Sequence, residues 1–387
     1  MTARRLLTVA HSYAVAQNRR LAHELARSGK ERWEVVAVAP EVFHGQRDLR
    51  SVRFEPSTTE PCRVETVPAR GTRSPHLFFY GRKLKTILKD HWDAVHCWEE
   101  PFVHAGYQIA RWTPPRAALV VATFQNIAKA YPPPFCWMEA SVMRRSAGWI
   151  AFGHSATEAL GGRPAYRERP MCVIPPGVDV DAFCPNPSSG ARVRESLGWT
   201  VDGPPVAGFL GRFVPEKGVE FLTRTLDALS TPWRALFVGA GPLEAHLRAW
   251  ATGKRDNVRI CTGVSHAAVP GFLNALDVLC APSLSTPRWR EQFGRMLVEA
   301  FACGVPVIAN RSGEIPYVVG DDGVLLPEND LGAWTQALNE MLENETRRRE
   351  FAERGHARAQ AEFAWAVVAR QHWDFFETLL ERKGGSA

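Results

Sequence analysis

The sequence contains no apolar run long enough to cross a membrane. Its apolar runs, such as residues 117–122 and 305–309, are far shorter than the roughly 20 residues that a transmembrane helix needs. Residues 6–10 are also too short for a secretory signal, because polar His11 and Ser12 follow them directly. We therefore expect a cytoplasmic protein.

The sequence also has no pair of cysteines that is spaced like a metal or redox motif. Neither a C-x-x-C pair nor the spacing of a zinc ribbon occurs. We interpret the cysteines as buried free thiols, which suits a reducing compartment. The eight are Cys62, Cys97, Cys136, Cys172, Cys184, Cys261, Cys280 and Cys303.

The composition lacks the bias of a disordered, coiled-coil or collagen-like chain, since 45% hydrophobic and 23% charged residues are ordinary values for a soluble domain. The charge is uneven, however. Residues 1–190 contain 25 Lys and Arg against 17 Asp and Glu, whereas residues 191–387 contain 22 against 24. The basic half indicates an anionic partner, either a membrane surface or an acidic acceptor, or else a chance imbalance. We expect no nucleic-acid partner.

Short apolar segments alternate with segments of helical period along the chain, which is typical of parallel sheets with crossover helices. The length of 387 residues favours two domains. The predicted strands of the first series are 6–10, 34–39, 63–67, 94–97, 118–123, 148–152 and 171–174, with helices at 18–28 and 135–146. The second series is 206–210, 235–238, 258–261, 278–281, 305–309 and 324–326. The predicted fold class is α/β, with two tandem Rossmann-like doubly wound domains.

The segment 175–190 is rich in Pro, Gly and Ser, which is typical of a linker. We predict a first domain over 1–175, a linker over 176–204 and a second domain over 205–364. The remaining residues, 365–387, form a predicted helix with an apolar stripe that needs a surface to pack on.

The loop after strand 206–210 carries two cations. Ligands of doubly wound domains bind beyond the carboxyl ends of the strands, and Gly211 there allows a close backbone approach. The planar guanidinium of Arg212 can hold two phosphate oxygens, and Lys217 adds a point charge. The other interpretation of this segment is a charged surface loop.

A second segment combines a helix start with two acidic residues. Gly294 lies where the loop turns into a helix, whose free N–H groups form an anion site. Glu299 is about 7.5 Å further along the axis at roughly 1.5 Å per residue, a reach comparable to that from a diphosphate to a ribose. Glu291, in the loop, can face a sugar on the distal phosphate. Alternatively, Glu299 is simply half-buried and Glu291 solvated.

Three further motifs are weaker. A turn at residues 312–313 either supplies backbone donors to a ligand or caps the next helix. The G-x-G at residues 239–241 lacks the third glycine of a dinucleotide fingerprint. Asp179 and Asp181 look like a metal-binding D-x-D, but they lie in the predicted linker, and we interpret them as structural.

These residues resemble the retaining nucleotide-sugar glycosyltransferases of family 4, or glycosyl transferases group 1, whose GT-B architecture has two Rossmann-like domains facing across a cleft. The resemblance covers the second half of the chain, with its motifs in the family's order and spacing. It rests on Gly211-Arg212-Phe213, on Glu216-Lys217-Gly218, on the Glu291 and Glu299 pair, and on segments 174–179, 261–264, 275–278 and 304–307.

The resemblance implies a hexosyltransferase that moves a sugar from a nucleotide-diphosphate sugar to an acceptor hydroxyl in polysaccharide or glycoconjugate biosynthesis. It implies retaining transfer at one face of the sugar, with no enzyme nucleophile, metal or other cofactor, because cations and a helix end can stabilise the leaving diphosphate. It also implies that helix 365–387 packs on the first domain. The implied catalytic residues are Arg212, Lys217 and Glu291, and the implied donor-binding residues are Gly211, Gly263, Val264, Phe293, Gly294, Arg295 and Glu299.

The first half departs from the family pattern in two places. Residues 11–20 lack the Gly-Gly turn that many members have after the first strand, and residues 124–126 stand where many members have a His. An amide there can bond a sugar hydroxyl but cannot act as a base. An aromatic loop at 131–137 either contacts a sugar or lipid or covers the sheet. The acceptor-side candidates are His11, Glu100, Gln125 and Asn126.

Other functions stay open at this point. A sugar-nucleotide epimerase or hydrolase on the same scaffold acts without an acceptor, and a non-catalytic sugar-nucleotide-binding protein binds without turnover. The expected acceptor is a saccharide, a lipid-linked molecule or a small molecule. If it is lipid-linked, the basic N-terminal half is expected to contact the inner membrane face peripherally.

Overall fold

A computed structural model describes residues 3–44, 51–57, 59–200, 202–254 and 256–384. The chain forms two compact units, which are called unit 1 (Met1–Pro175 and Trp365–Ala387) and unit 2 (Pro176–Ala364). All eight cysteines are free thiols. In the part of the chain that is described, no helix is long and apolar enough to cross a membrane.

Unit 1 contains a seven-stranded parallel sheet and two small antiparallel pairs, with helices between the strands. Its strands are β1 (Arg4–Val9), β2 (Trp33–Pro40), β3 (Val42–His44), β4 (Ser51–Arg53), β5 (Arg63–Val67), β6 (Ala69–Arg70), β7 (Phe79–Tyr80), β8 (Ala94–Cys97), β9 (Ala118–Thr123), β10 (Gly148–Ala151) and β11 (Met171–Val173). Its first helices are α1 (Arg20–Gly29), α2 (Arg82–Lys89), α3 (His104–Trp112), α4 (Phe135–Arg145), α5 (His154–Leu160) and α6 (Pro164–Arg167).

The strand order of this sheet is β11-β10-β9-β8-β1-β2-β5. The chain therefore runs outward in both directions from the neighbours β1 and β8, and the loops after these two strands lie at the topological switch point. The residues of β8 and β9 are all buried, as the β-branched and apolar runs predict for a sheet that is covered on both faces.

Unit 2 repeats this architecture with six parallel strands in the order β14-β13-β12-β15-β16-β17. Its strands are β12 (Val206–Leu210), β13 (Arg234–Val238), β14 (Val258–Cys261), β15 (Val278–Ala281), β16 (Val307–Asn310) and β17 (Val324–Leu326). Its helices are α7 (Pro187–Ser196), α8 (Val219–Asp227), α9 (Glu244–Trp250), α10 (Val269–Asn274), α11 (Arg295–Ala302), α12 (Ile315–Val319), α13 (Leu331–Glu343) and α14 (Glu345–Arg358). The switch point lies between β12 and β15.

The last helix, α15 (Trp365–Gly384), packs on unit 1. The Trp373 ring stacks on Trp33 with centroids 4.8 Å apart, and its Nε1 donates to Ser28 Oγ at 3.0 Å. The helix buries its apolar stripe, including Val368 and Phe376, against the face of the sheet that α1 also covers. The α/β class with two doubly wound sheets and a returning C-terminal helix is therefore confirmed.

Two elements begin two residues later than predicted, each for a local reason. The strand predicted at 305–309 begins at Val307, because the Val305 N–H bonds to Ala300 O at the end of α11 and Pro306 has no N–H. The helix predicted at 18–28 begins at Arg20. The preceding residues Ala16–Arg19 form a 3₁₀ turn instead.

Candidate functional site

The loop after β12 presents Arg212 to solvent and holds Lys217 inside. The Arg212 side chain is 66% exposed, and its Nη2 lies 3.8 Å from Glu216 Oε1. Lys217 ends a 3₁₀ turn and is followed by Gly218 at φ +72°, where an added Cβ would lie 2.0 Å from Pro282 O. Only glycine fits this close approach. The turn therefore fixes Lys217 against the segment after β15.

Lys217 is paired with Glu291, which is buried. The Lys217 ammonium donates to Glu291 Oε2, and it lies 5.4 Å from the centroid of the Trp289 ring. The same carboxylate oxygen accepts from Ser283 Oγ at 3.1 Å. Glu291 is thus not solvated, and its position depends on a cation that a phosphate would also attract.

The turn at residues 312–313 holds the backbone of this glutamate. Glu314 N donates to Glu291 O at 2.9 Å. A Cβ on Gly313, whose φ is +55°, would come within 2.1 Å of the same Glu291 O. The turn contacts the glutamate loop and thereby helps to place the Glu291 side chain.

Helix α11 begins directly after Gly294, which adopts φ +80°. Glu299 on this helix is 6% exposed, and burial raises the pKa of its carboxyl to about 7 although the charge of Arg295 acts in the opposite direction. Within the described ranges, no side chain or backbone group donates a hydrogen bond to the Glu299 carboxyl. A buried carboxyl with unused acceptor capacity suits a ligand that brings hydroxyl donors.

The other residues that were predicted to bind the donor lie in the segments after β14 and β15. Phe293 is buried against Phe363, with ring centroids 5.9 Å apart, so only its backbone is available to a ligand. Gly263, at φ +71°, and Val264 follow β14, two strands from β12 in the sheet. Arg295 is exposed at the first position of α11.

In unit 1, the loops after β1 and β8 bring His11 and Glu99 together. His11 Nδ1 lies 2.7 Å from Glu99 Oε2, and its backbone N–H donates to Glu99 Oε1 at 2.6 Å. Tyr80 Oη also donates to Oε1 at 2.6 Å. Burial lowers the pKa of His11, but the charge and hydrogen bond of Glu99 outweigh it, so the pKa is raised. The sequence predicted His11 but not Glu99 or Tyr80.

Glu100, in contrast, is directed toward β9. It accepts hydrogen bonds from Thr123 Oγ1 at 2.5 Å and from Phe124 N at 2.8 Å. Burial raises the pKa of its carboxyl to about 7, although these two bonds lower it. The two adjacent glutamates therefore contact different strands.

Gln125 and Asn126 are both buried after β9. Gln125 Nε2 donates to Ile127 O at 3.3 Å, while its buried Oε1 has no partner among the residues that the structure describes. The two ends of the aromatic loop 131–137 differ in exposure. Tyr131 stacks on Phe102 with ring centroids 4.1 Å apart, whereas Trp137 is 67% exposed.

Two groups with the residue types of metal ligands have structural partners. Asp179 Oδ1 accepts from Ala182 N at 3.4 Å and so stabilises its own turn. His23, Glu60 and Cys62 bring their ligand atoms within 4.8 Å of one another. The Arg19 guanidinium donates to this Glu60 at 2.9 Å, so the carboxylate already balances a buried cation.

Family models match both halves of the chain. The model described as glycosyl transferases group 1 matches residues 197–358, and the model described as glycosyltransferase family 4 matches residues 16–182. Together they include Arg212, Lys217, Glu291 and Glu299 in one half and Glu100 in the other.

Two relatives illustrate the similarity. A D-inositol 3-phosphate glycosyltransferase of Xylanimonas cellulosilytica is 30% identical over 304 residues, which is 76% of this chain and 70% of the relative. A GDP-mannose-dependent alpha-(1-6)-phosphatidylinositol monomannoside mannosyltransferase of Mycolicibacterium smegmatis is 36% identical over 178 residues, 44% of this chain and 46% of the relative.

Solved structures share the fold. The crystal structure of Anabaena Alr3699/HepE in complex with UDP and glucose has a TM-score of 0.72 at 18% identity, covering 97% of this chain and 100% of the other. Sucrose-phosphate synthase from Thermosynechococcus elongatus has a TM-score of 0.73 at 20% identity, covering 98% and 100%. The chain therefore belongs to glycosyltransferase family 4, with the GT-B fold, and is a hexosyltransferase.

Proposed function

We propose that this protein transfers a sugar, with retention of configuration and without a metal ion, from a nucleotide-diphosphate sugar to an acceptor hydroxyl. The observation that carries this proposal is the arrangement at the switch point of unit 2. There the Glu299 carboxyl, in the second turn of α11, is buried and accepts no hydrogen bond from the described residues, and the neighbouring loop after β12 carries two cations. Such a site suits a ligand with an anionic part and a hydroxyl-bearing part.

Glu299 is proposed to bind the nucleoside. Its carboxylate can accept hydrogen bonds from two ribose hydroxyls. Along α11, its position is about 7.5 Å from Gly294 at roughly 1.5 Å per residue, which leaves the free N–H groups of the helix start for the diphosphate. Segment 263–265 is proposed to lie beside the nucleobase.

Arg212 and Lys217 are proposed to stabilise the leaving diphosphate. Arg212 is exposed and presents a planar set of donors, which suits two phosphate oxygens. Preorganised cations and a helix end stabilise charge that develops on a leaving group, and this is why the proposal needs no metal ion. The sugar is attacked on the face that the diphosphate leaves, without an enzyme nucleophile.

Glu291 is proposed to contact the donor sugar. Its carboxylate is paired with Lys217 and accepts a hydrogen bond from Ser283. When a diphosphate draws Lys217 toward itself, the Glu291 carboxylate is released to accept hydrogen bonds from sugar hydroxyls. The ion pair thus keeps both groups in place, close to the positions that the donor requires.

The acceptor is proposed to be a phosphorylated polyol or a glycolipid that contains one, because curated relatives are named for D-inositol 3-phosphate and for phosphatidylinositol monomannoside. We also propose a cytoplasmic location, with peripheral contact between helix α2 and an anionic membrane surface. Its sequence contains four cations and no acid, and all four are exposed. Co-sedimentation with anionic and neutral vesicles at low and high salt tests this contact.

The transfer reaction is tested with EDTA-treated protein, a panel of UDP-, GDP- and ADP-sugars, and D-inositol 3-phosphate or phosphatidylinositol vesicles as acceptors. The proposal expects one donor to give a glycosylated product, whose anomeric configuration by NMR matches that of the donor. Release of free sugar or of an epimerised nucleotide sugar, at the same rate with and without acceptor, would support a hydrolase or an epimerase instead.

A further inference from the structure

The switch point of unit 1 carries a histidine whose orientation is fixed by a buried acid. Val9 at the end of β1 pairs with Cys97 at the end of β8. His11 and Glu99 each lie two residues beyond these paired strand ends, so the sheet itself brings them side by side. The register of two buried strands therefore determines this contact.

Glu99 accepts hydrogen bonds from three donors and is 1% exposed. The donors are His11 N, His11 Nδ1 and Tyr80 Oη, all between 2.6 and 2.7 Å away. Tyr80 is itself buried at the end of β7, and its backbone exchanges hydrogen bonds with Gln108. Glu99 is thus held from two sides and cannot follow the imidazole if the ring turns.

This contact also fixes the tautomer of the imidazole. A carboxylate oxygen only accepts hydrogen bonds, so His11 Nδ1 carries the proton and Nε2 is the second polar atom of the ring. No group in the described part of the chain bonds to Nε2, and the His11 side chain is 42% exposed. Since Nδ1 faces a buried carboxylate, the exposed edge of the ring is the one that contains Nε2.

Two phenylalanine rings surround the imidazole. Phe43 lies 4.7 Å from the His11 ring centroid and Phe78 lies 5.4 Å from it, and these two rings are perpendicular to each other at 5.2 Å. Among the described residues, an unbonded ring nitrogen beside two phenylalanine rings matches a cyclic polyol or sugar, which has C–H groups on its faces and hydroxyls at its rim.

We propose that His11 binds a ring hydroxyl of the acceptor through Nε2, and that Glu99 and Tyr80 are positioning residues which hold the imidazole in the required tautomer. This inference rests on the proposed transfer to an acceptor hydroxyl. Because a hydroxyl both donates and accepts, it bonds to Nε2 above the pKa of His11 and to the Nε2–H of the imidazolium below it. The ligand class is a cyclic polyol or saccharide.

The variants His11→Asn, Glu99→Gln and Tyr80→Phe test this site. Asparagine keeps a donor near the position of Nδ1 but has no atom at the position of Nε2. We expect His11→Asn to raise KM for the acceptor about 10- to 100-fold, the range for one hydrogen bond to a polar or charged group. Glu99→Gln should have a similar effect through the lost tautomer, and Tyr80→Phe a smaller one.

The matched control is His91→Asn, which changes an exposed histidine of the same unit. All variants should bind nucleoside diphosphates as the native chain does, because the proposed donor site lies in unit 2. An unchanged acceptor KM in both His11→Asn and Glu99→Gln would overturn the inference.

A second measurement does not depend on turnover. NMR spectra of protein with ¹⁵N-labelled histidine should show His11 with its proton on Nδ1 above its pKa, and the resonance of Nε2 should shift when D-inositol 3-phosphate is added. A proton on Nε2 in the native protein, or an unperturbed ring at saturating probe, would contradict the site. If the native chain binds nucleotide but transfers to no acceptor, the proposed function fails while this measurement still decides the inference.

Discussion

Two carboxyl groups, one in each unit, share a pKa of about 7 for the same reason but differ in their partners. Burial raises the pKa of Glu100 in unit 1 and of Glu299 in unit 2. The Glu100 carboxylate accepts two hydrogen bonds from the end of β9, whereas the Glu299 carboxyl accepts none from the residues described. Similar pKa shifts therefore accompany different surroundings: Glu100 links two strand ends, and the Glu299 carboxyl keeps unused acceptor capacity.

The two units also build their loops differently. Among the glycines that the structure describes, Gly71 is the only one in unit 1 with a positive φ, whereas unit 2 contains many, including Gly218, Gly294 and Gly313. Glycines let the backbone of unit 2 pass close to other segments. In unit 1, side-chain hydrogen bonds such as that of His11 to Glu99 do the positioning instead.

The largest effect is expected from deletion of residues 365–387, because the apolar stripe of α15 is part of a core of unit 1. Each large apolar side chain of its stripe contributes about 1.5–3 kcal/mol on burial, so the loss of several exceeds the margin of a typical domain. Hydrogen exchange should show that β1, β8 and β9 lose protection while β12 and β13 keep theirs. Retained protection in β1 would show that unit 1 is stable without this helix.

Gly313→Ala tests whether the positive-φ glycines of unit 2 are needed for close backbone contacts. The new Cβ would lie 2.1 Å from Glu291 O, and the positive φ adds about 1–2 kcal/mol of strain. We expect chemical denaturation to give a free energy of unfolding about 3 kcal/mol lower, together with loss of nucleotide binding. The control is Gly253→Ala, where φ is +85° but no atom lies within 4 Å. Equal losses in both variants would show that the close approach is irrelevant.

Two buried histidines of unit 1, His96 on β8 and His372 on α15, should each lower its stability in acid, in opposition to the raised pKa of Glu100. Burial lowers the pKa of His372 on α15 to about 4 and that of His96 on β8 well below its ordinary value, and their rings are 5.3 Å apart. At these two groups the unfolded chain then binds more protons, so their contribution to stability falls as the pH drops from about 6.5 toward 4, by up to about 3 kcal/mol for His372.

Thermal melts between pH 4 and pH 7 check this expectation. Relative to the native chain, His372→Phe should gain stability as the pH falls from about 6.5 toward 4, while the exposed His91→Gln should show no such gain. An unaltered slope in His372→Phe would show that other groups cause the acid sensitivity.

The smallest change in the free energy of unfolding is expected from substitution of the two buried carboxyl groups, Glu299 and Glu100. The folded pKa of Glu299 is above its unfolded value, so its burial is unfavourable once the pH rises from 4.5 through 7. Glu299→Gln should therefore raise the free energy of unfolding at pH 8 by about 2 kcal/mol and have no effect near pH 4. Glu100→Gln should gain less, because it weakens the bonds to Thr123 and Phe124. Equal gains would contradict the difference in their partners.

The sequence was most informative where backbone geometry demands a particular residue. Glycines at turns, with Arg212, Lys217 and Glu299 at fixed spacing, indicated the donor-side loops of unit 2 and the family. The partner of His11 was not predictable, because Glu99 is 88 positions away and meets it only through the register of β1 with β8. A paired-strand argument, which places the residues just beyond the ends of the predicted strands 6–10 and 94–97 side by side, is the signal that could have found it.

The different environments of the two cations in the loop after β12 were likewise not predictable from the sequence. Arg212 and Lys217 were both predicted to bind the diphosphate, but Arg212 is exposed and Lys217 is paired with Glu291. The depth of a side chain in a loop depends on segments that pack on it from elsewhere in the chain, here the segment after β15 that contains Pro282. No local pattern of charges specifies that packing.

The most direct test of the central claim is calorimetric titration of EDTA-treated protein with UDP, GDP, ADP and TDP. The account predicts that one nucleoside diphosphate binds without metal, that Glu299→Gln and Arg212→Ala each weaken it about tenfold or more, and that Glu100→Gln binds it as the native chain does. Binding of none of the four by folded protein, or equal binding by native chain and Glu299→Gln, would contradict the donor site proposed in unit 2.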